Sequence, residues 1–392
     1  MTDVLTRRQL LHRAAAGGTV LTLPGLLAAC GGSTKESGSG STSSHKLAKT
    51  LRFSNWTLYI DTNNKTHSHP SLQQFQQKYG TTVDYTEDIN DNAGYFGKIQ
   101  GPLSRGQSIG RDIIVLTDND RYLSLMIKKG WTEKLDKAAI PNMKNLLGVQ
   151  QHPGFDPNRD YSLPWQSGMT GIAYNDKLTD PILSVDDLLS NPKLKGKVTV
   201  LNSMGDALSL VMLSNGDDPA KVTDQSFNNA IKRIEAAVHS KQIRQFTGND
   251  YAPPLAKGDL AAAMSWSGDI AQIGNPHIHW NVPKDGGALW TDNMIIPKGG
   301  DVYTASVFMN YVYDPKVAAE IEGGNPKTGD TGVYYISPVS GARQELLKVN
   351  PAIAKNTLIF PTKKMLSTVH LFDNNALNNE KYLTAWQNLI SG

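Results

Sequence analysis

The stretch Asp112-Ile113-Ile114-Val115-Leu116 places four apolar residues in a row behind a single acid. A short, unbroken apolar run with β-branched residues is typical of a strand that is buried on both faces. The run therefore predicts an internal strand, and the sequence on either side of it indicates what kind of sheet holds that strand.

Strand and helix patterns alternate on both sides of this run. Alternation at this spacing indicates βαβ units and a parallel sheet, so the chain is expected to be an α/β protein. The predicted strands are 50–56, 82–85, 112–116, 171–174, 198–201, 261–264 and a pair at 288–290 and 294–297; the predicted helices are 71–79, 95–103, 121–129, 208–213, 225–240 and 305–312.

Length and charge limit the possible functions. Residues 50–392 form a segment that is longer than a single hydrophobic core usually serves. This length favours two lobes with a ligand cleft between them. The chain has a formal charge of +3, of which three arginines and one aspartate within residues 1–29 account for +2. The remainder is close to neutral, so binding to nucleic acid through counterion release is not expected.

The first 29 residues predict an export signal. Arg7 and Arg8 precede an uncharged, apolar segment at 14–29 that is too short for a permanent membrane span. The paired arginines resemble the twin-arginine signal, and a general secretory signal with two basic residues is the alternative. Leu27-Ala28-Ala29-Cys30 resembles the bacterial lipoprotein box, which makes Cys30, the only cysteine, the predicted site of lipidation.

The segment from 30 to 49 is expected to be a flexible tether. Residues 31–46 are mainly Gly, Ser and Thr and cannot bury enough apolar surface to offset the entropy of ordering. After the signal, no apolar run approaches the 18 residues of a membrane span. The sequence therefore predicts a monomeric domain that its lipid holds on the outer face of the cytoplasmic membrane.

Five segments, taken in order, resemble the spermidine/putrescine-binding proteins of ABC importers. They extend from about residue 50 to 340. No single segment identifies the family, but the five segments in this order are fairly specific to it. The segments are Asn55-Trp56-Thr57-Leu58-Tyr59-Ile60; Asp160-Tyr161-Ser162-Leu163-Pro164-Trp165 with 168–175; Ser265-Trp266-Ser267-Gly268; Pro283-Lys284-Asp285-Gly286-Gly287 with Leu289-Trp290-Thr291-Asp292; and Tyr335-Ile336-Ser337-Pro338.

This resemblance implies a two-lobed fold of the periplasmic-binding-protein type. Lobe 1 would comprise about 50–168 plus 290–334, and lobe 2 about 169–289 plus 335–392. The chain is then expected to be no enzyme and to take no cofactor, but to capture putrescine or spermidine and deliver it to an ABC permease in the membrane. The matched positions that line the family's ligand cleft are Trp56, Thr57, Trp266, Trp290, Asp292 and Tyr335.

The chemistry of a polyamine agrees with these residue types. Its methylenes need flat apolar walls, and its ammonium groups need carboxylates. A Trp ring serves both parts, because its quadrupole attracts a cation by about 0.5–2 kcal/mol. We expect Trp56, Trp266 and Trp290 to form the walls and Asp292 to be the main ammonium partner. Another organic cation or an amino acid is the alternative cargo.

The sequence departs from this family in two places. Asp206 keeps one of two acids expected at the start of a helix, but Ser203 stands where the other would be. The second ammonium partner is therefore Asp206, Ser203 or a water, and the structural alternative for Asp206 is a helix cap. Thr117-Asp118-Asn119-Asp120 replaces a Ser/Thr-x-aromatic pair, and Thr117 and Asp118 are predicted ligand contacts.

Two histidine pairs suggest a different class of function. His67/His69 and His277/His279 have the i, i+2 spacing that puts two metal ligands on one face of a strand. An exported, metal-dependent enzyme is therefore the competing hypothesis. Surface or packing histidines are the simpler interpretation, and no metal site is predicted.

An acid cluster precedes the second predicted helix. Glu87, Asp88 and Asp91 suggest a calcium loop, but Ala93 and Ile99 stand where such a loop needs Gly and Glu. The cluster is therefore expected to be a solvated loop at the rim of the cleft.

Overall fold

The run 112–116 forms a strand, Ile113–Thr117, in the computed structural model of the protein, which describes residues 45–391. All five residues of this strand are buried. The prediction of an internal strand that is covered on both faces is confirmed.

The described part of the chain contains twelve strands. Most overlap the predicted ones, with shifts at their ends. They are β1 (Thr50–Trp56), β2 (Thr62–Asn63), β3 (Thr82–Ile89), β4 (Ile113–Thr117), β5 (Ser162–Asn175), β6 (Val198–Leu201), β7 (Ile243–Thr247), β8 (Ala262–Trp266), β9 (Ile278–Asn281), β10 (Gly287–Ile295), β11 (Asp330–Thr331) and β12 (Val369–His370).

Ten of these strands form one mixed sheet with the order β3-β1-β4-β10-β5-β8-β6-β7, to which β12 and β9 are added beside β10 and β5. β1 pairs in parallel with β3 and β4, and β6 pairs in parallel with β7 and β8. The middle pairs β4–β10, β10–β5 and β5–β8 are antiparallel. The α/β prediction is confirmed, but the prediction of a parallel sheet is wrong here, because a burial pattern does not record the direction of a strand's neighbour.

The two strands predicted at 288–290 and 294–297 are one strand, β10. The polar residues between the two apolar pieces, Thr291, Asp292 and Asn293, are buried within it. Asp292 accepts hydrogen bonds from two hydroxyl groups, and Asn293 accepts one from Arg159 at 2.7 Å. Since buried polar groups with partners are tolerated inside a strand, the polar interruption is not a turn.

The predicted lobes meet at three places in the chain, 168/169, 289/290 and 334/335. β5 and β10 bring these three places together. Gly168 in β5 pairs with Trp290 in β10, and Ser167 bridges to Ile336. Segments that are far apart in the sequence therefore meet in the middle of the sheet.

Fourteen α-helices lie in the described residues. They are α1 (Pro70–Tyr79), α2 (Asn92–Ser104), α3 (Arg121–Lys128), α4 (Val185–Ser190), α5 (Met204–Ser214), α6 (Asp224–His239), α7 (Ala252–Lys257), α8 (Ser267–Ile273), α9 (Val302–Val312), α10 (Pro315–Gly323), α11 (Ala342–Val349), α12 (Lys363–Leu366), α13 (Asn374–Leu377) and α14 (Glu380–Ser391). Short 3-10 helices lie at Lys137–Ala139, Pro141–Asn145, Gly148–Gln150, Pro192–Leu194, Asn249–Tyr251 and Ile353–Lys355.

Three helices begin just after strands of the main sheet and are capped by polar side chains. Asp91, Asp120 and Ser203 accept backbone N–H groups in the first turns of α2, α3 and α5. These helices follow β3, β4 and β6, so their caps lie at the carboxyl ends of strands, where ligands of open α/β sheets bind.

The predicted signal peptide at 1–29, the lipidation of Cys30 and most of the tether lie outside the described residues. The end of the segment predicted as tether is already part of the fold, because Ala48 N–H donates to Thr304 Oγ1 at 2.8 Å and Thr81 Oγ1 donates to Ala48 O. Within residues 45–391, no helix has the length and apolar character that crossing a membrane requires.

Candidate ligand-binding site

A cavity lies where β1, β4 and β8 end, and about 540 Å³ of space there, part of it open solvent, is not filled by protein atoms. It contains every predicted ligand contact except Asp118. Its lining consists of Trp56, Thr57, Tyr59, Asp91, Asn92, Ala93, Thr117, Asp120, Asn202, Ser203, Asp206, Asn249, Trp266, Asp269, Trp290, Asp292 and Tyr335.

Three tryptophans and one tyrosine form the aromatic wall of this cavity. Trp56 and Trp266 meet edge to face with ring centroids 5.9 Å apart, and Trp266 and Trp290 do so at 6.2 Å. Tyr335 lies 5.6 Å from Trp290. Each indole N–H already donates to an acceptor of the protein. The ring faces are therefore the parts of these side chains that remain for a ligand.

Two glycines make room for the rings. A Cβ atom at Gly168 would overlap the indole of Trp290, and one at Gly268 would overlap the ring of Tyr335. Any larger residue at either position would displace part of the aromatic wall.

Asp292 is buried, with 3 % of its surface exposed. Its Oδ1 accepts from Thr117 Oγ1 at 2.6 Å, and its Oδ2 accepts from the Tyr59 hydroxyl at 2.7 Å. Burial raises the pKa of Asp292 to about 7; the two hydrogen bonds oppose this rise, and the nearby Asp118 and Asp206 add to it. Both donors are neutral, so ionised Asp292 receives hydrogen bonds but no countercharge from them.

Asp206 lies in the first turn of α5 but is not its cap. Ser203 is the N-cap and accepts from the Asp206 N–H, so the capping alternative for Asp206 is wrong. The Asp206 carboxylate accepts from Asn119 Nδ2 at 2.9 Å, from Thr170 Oγ1 and from Trp266 Nε1 at 3.3 Å. Burial raises its pKa.

Asp269 is a third buried acid of the lining, and sequence reasoning missed it. Its Oδ1 accepts from the Tyr335 hydroxyl at 2.6 Å, and its Oδ2 accepts from the Tyr251 hydroxyl at 2.6 Å and from Asn249 Nδ2 at 3.0 Å. Burial raises its pKa. The available signal was its position three residues after Trp266, at the start of α8, where both side chains can face the same space.

Asp91 and Asp120 also enter the lining, and neither was predicted as a ligand contact. Glu87 and Asp88 are exposed, as expected, although they belong to strand β3 rather than to a loop. Asp91 instead faces the cavity. Burial raises the pKa of Asp120 to about 7, with further contributions from Asp206 and Asp91.

Asp118 and Thr57 occupy contrasting positions. The Asp118 carboxylate accepts from the Thr291 N–H at 2.8 Å, and burial raises its pKa to about 6. This contact joins the loop after β4 to β10, outside the lining. Thr57 lies in the lining and is exposed.

The electrostatic character of the cavity follows from these residues. Its lining contains five carboxylates and, in the part of the chain that the structure describes, no Lys, Arg or His. Low-dielectric walls with charges of one sign attract ions of the opposite sign. The arrangement is thus suited to a cation that also has an apolar stem.

The histidine pairs do not contribute to this lining. His277 and His279 both contact the exposed Asp176, with N–O distances of 3.0 and 2.6 Å. His69 Nδ1 lies 3.0 Å from the backbone oxygen of Asp61. Across residues 45–391 there is no group of three or more His, Cys, Asp or Glu side chains arranged to hold a metal ion.

Comparison with known proteins gives a match over most of the chain. The family described as bacterial extracellular solute-binding protein matches residues 71–323. The spermidine/putrescine-binding periplasmic protein of Salmonella typhimurium is 27% identical over 330 residues, which cover 81% of this chain and 85% of that protein. The putrescine-binding periplasmic protein SpuD of Pseudomonas aeruginosa is 27% identical over 372 residues, which cover 88% and 92%.

Solved structures show the same architecture. The TpPotD lipoprotein of Treponema pallidum superposes with a TM-score of 0.69 at 23% identity, over 88% of this chain and 100% of that one. The fold is therefore that of the two-lobed periplasmic binding proteins, as the sequence predicted.

Proposed function

Because this chain belongs to the bacterial extracellular solute-binding proteins, we propose that it captures a polyamine, putrescine or spermidine, in the cavity and delivers it to an ABC permease. Its relatives are solute-binding transport proteins, and the chain is accordingly not an enzyme. The names of those relatives support polyamine cargo without deciding between a diamine and a triamine.

The observation that carries the proposal is the combination of three indole walls with five carboxylates that have no cation beside them in the lining. An ammonium group over an indole face gains up to about 2 kcal/mol when it is desolvated. A buried ammonium group also requires a carboxylate partner, since burial of an unpaired charge is strongly unfavourable. A polyamine satisfies both requirements along its length.

The alternative cargoes differ in their charge. An amino acid would bring its own carboxylate into a cavity that already holds five, and the described lining offers no Lys or Arg to receive it. Another organic cation fits the same electrostatics, so only binding measurements distinguish it from a polyamine.

We infer that the two lobes, about 50–168 plus 290–334 and about 169–289 plus 335–392, close over the ligand. Residues of both lobes line the cavity. Gln272 links the lobes directly, because its Nε2 donates to Leu58 O at 3.0 Å and to Val333 O at 2.7 Å. Hinge opening would break both hydrogen bonds and expose the cavity to solvent.

The proposed place of action is the outer face of the cytoplasmic membrane. Export would use the Arg7-Arg8 signal, and a lipid on Cys30 would hold the chain there through the 30–49 tether. We infer that this segment acts as a tether, which would keep a monomer close to a membrane permease. Replacing Cys30 by Ala should release the protein into the soluble fraction, and continued membrane association would contradict the anchor.

Titration calorimetry on the purified full chain tests the cargo. We expect saturable, one-to-one binding of putrescine or spermidine and none of glutamate, with N-acetylputrescine as the control that removes one charge. Absence of heat with both polyamines at micromolar protein would refute the assignment. In a parallel experiment, solution scattering should show a smaller radius of gyration after the polyamine is added.

A further inference from the structure

Two close backbone contacts join the proposed lobes beside the cavity. A Cβ atom at Gly205 would overlap the backbone oxygen of Asn119, and one at Gly248 would overlap the backbone oxygen of Asn90. Gly205 and Gly248 belong to lobe 2, whereas Asn90 and Asn119 belong to lobe 1 and follow β3 and β4. Because glycine has no Cβ, another backbone can approach it this closely. A side chain on either glycine would keep the lobes apart.

The contact at Gly205 also involves a carboxylate of the cavity lining. Asn119 Nδ2 donates to Asp206 Oδ1 at 2.9 Å. The other side chains that donate to this carboxylate, Thr170 and Trp266 among them, belong to lobe 2. Asn119 itself lies outside the lining and is only 5 % exposed. It therefore acts on a ligand through Asp206, which it orients from the opposite lobe.

The amide of Asn119 is only half satisfied in this arrangement. Its Oδ1 is buried and has no hydrogen-bond partner within residues 45–391. A buried acceptor without a donor is costly, and water supplies donors once two surfaces separate. One end of the amide thus favours the closed form and the other end opposes it. This balance suits a contact that forms and breaks each time a ligand is bound and released.

We propose that Asn119 is a latch that holds the cleft closed through its hydrogen bond to Asp206, and that Gly205 leaves the space in which this bond forms. The inference rests on the proposed function, because it assumes that polyamine binding closes the lobes. A contact made only in the closed form prolongs the life of the complex and does not assist the first encounter with the open cleft. Loss of the latch should therefore raise the dissociation rate and leave the association rate unchanged.

Stopped-flow fluorescence on the full chain measures both rates, because three tryptophans line the cavity. Putrescine and spermidine are the ligands. We expect Asn119→Ala to raise the dissociation rate about tenfold, equivalent to about 1.4 kcal/mol, with an association rate within about twofold of wild type. The unfolding temperature of the ligand-free variant should match wild type, whereas a purely structural role would lower it and leave both rates unchanged.

Gly205→Ala tests the space that the latch needs. Gly205 lies in the first turn of α5, and alanine favours a helix more than glycine does, so the ligand-free variant should be at least as stable as wild type. We expect its polyamine affinity to fall at least about tenfold, because the new Cβ holds the lobes apart. Its radius of gyration, measured by solution scattering, should keep the ligand-free value at saturating polyamine.

Gly97→Ala is the matched control, since Gly97 is also helical and a Cβ there meets no atom within 4 Å. It should bind and compact as wild type does. The latch is refuted if Asn119→Ala leaves the dissociation rate unchanged, or if Gly205→Ala compacts on binding like wild type. If wild type binds neither polyamine, the proposed function fails and this inference fails with it. A wild type that binds while both variants match it refutes the latch alone, so the two failures are distinguishable.

Discussion

Asp176 and Asp292 are two aspartates that each contact two other side chains, yet their pKa values move in opposite directions. Asp176 is exposed, and hydrogen bonds from His279 and His277 hold its pKa below the ordinary value. Asp292 is buried between two hydroxyl donors, and burial raises its pKa to about 7. The number of partners is the same, but the environment and the possible charge of the partners differ.

This difference shows how a binding site can be told from a structural contact. At the surface, Asp176 finds imidazole partners in its own chain and solvent around it. In the cavity, the donors to Asp292 keep its orientation but leave its charge uncompensated. Because Asp292 also lines the cavity, a bound cation can supply its missing countercharge.

The largest expected effect comes from removing the charge at Asp292. Asp292→Asn keeps the size of the side chain, and we expect polyamine affinity to fall at least about tenfold, because losing one partner of a buried charge pair costs about 2–5 kcal/mol. Titration calorimetry at pH 8 measures this. The unfolding temperature should not decrease, since the variant removes an uncompensated buried charge. Unchanged affinity would exclude Asp292 from the site.

Gly268→Ala tests the aromatic wall. Its Cβ would overlap the Tyr335 ring and disturb the hydrogen bond from Tyr335 to Asp269, so we expect a loss of roughly 1–3 kcal/mol in stability and weaker binding. Gly97→Ala in α2 is the control, because its Cβ meets no atom within 4 Å and should be neutral or slightly stabilising. Equal unfolding temperatures for the two variants would contradict the close packing at Gly268.

The pH dependence should have opposite signs for folding and for binding. The folded-state pKa of Asp292, about 7, lies above its ordinary value of 3.8, so its contribution to stability is present at low pH and lost as pH rises through 7. The ligand-free protein should therefore lose this contribution as pH rises from 3.8 to about 7, while polyamine affinity rises by up to about tenfold per pH unit below 7.

Asp292→Asn supplies the reference for this prediction. Its unfolding temperature should depend less on pH across this range than that of wild type, as measured by scanning calorimetry. Asp176 titrates below this range because its pKa is lowered, so it does not contribute. Identical pH profiles for wild type and the variant would show that Asp292 does not titrate near neutrality.

The smallest effect is expected at the exposed contacts of Asp176 with His277 and His279. Asp176→Asn removes the contacts to His277 and His279, which are exposed and contribute little to stability. Polyamine affinity and unfolding temperature should both match wild type in the same two assays. A clear loss of binding would show that the histidine pair takes part in function and would weaken the contrast with Asp292.

The aromatic wall could be predicted because its members lie in short, ordered motifs. Trp56, Trp266, Trp290 and Tyr335 come from four separate segments, and the structure brings them into one cavity. Asp292 followed from its alternation with Trp290 in an extended segment. In each case the residue type alone suggests the chemistry, since indole faces and carboxylates suit a cation.

Other parts of the site depend on contacts that no local pattern contains. Asp91 and Asp120 resemble ordinary helix caps in the sequence, and only the fold shows that both side chains line the cavity. Tyr59 reaches Asp292 across 233 positions of the chain, and Tyr335 reaches Asp269 across 66. Pairings at such separations are set by the packed fold.

The sequence by itself determined the alternation of strands and helices, the residues that are buried, and the types of side chain available to a cation. The tertiary structure alone decided that the pairs β4–β10, β10–β5 and β5–β8 are antiparallel and which carboxylates lack a countercharge. The physical reason is that periodicity reports the burial of each residue in its own segment. Strand direction and charge compensation depend instead on groups that folding brings together from distant parts of the chain.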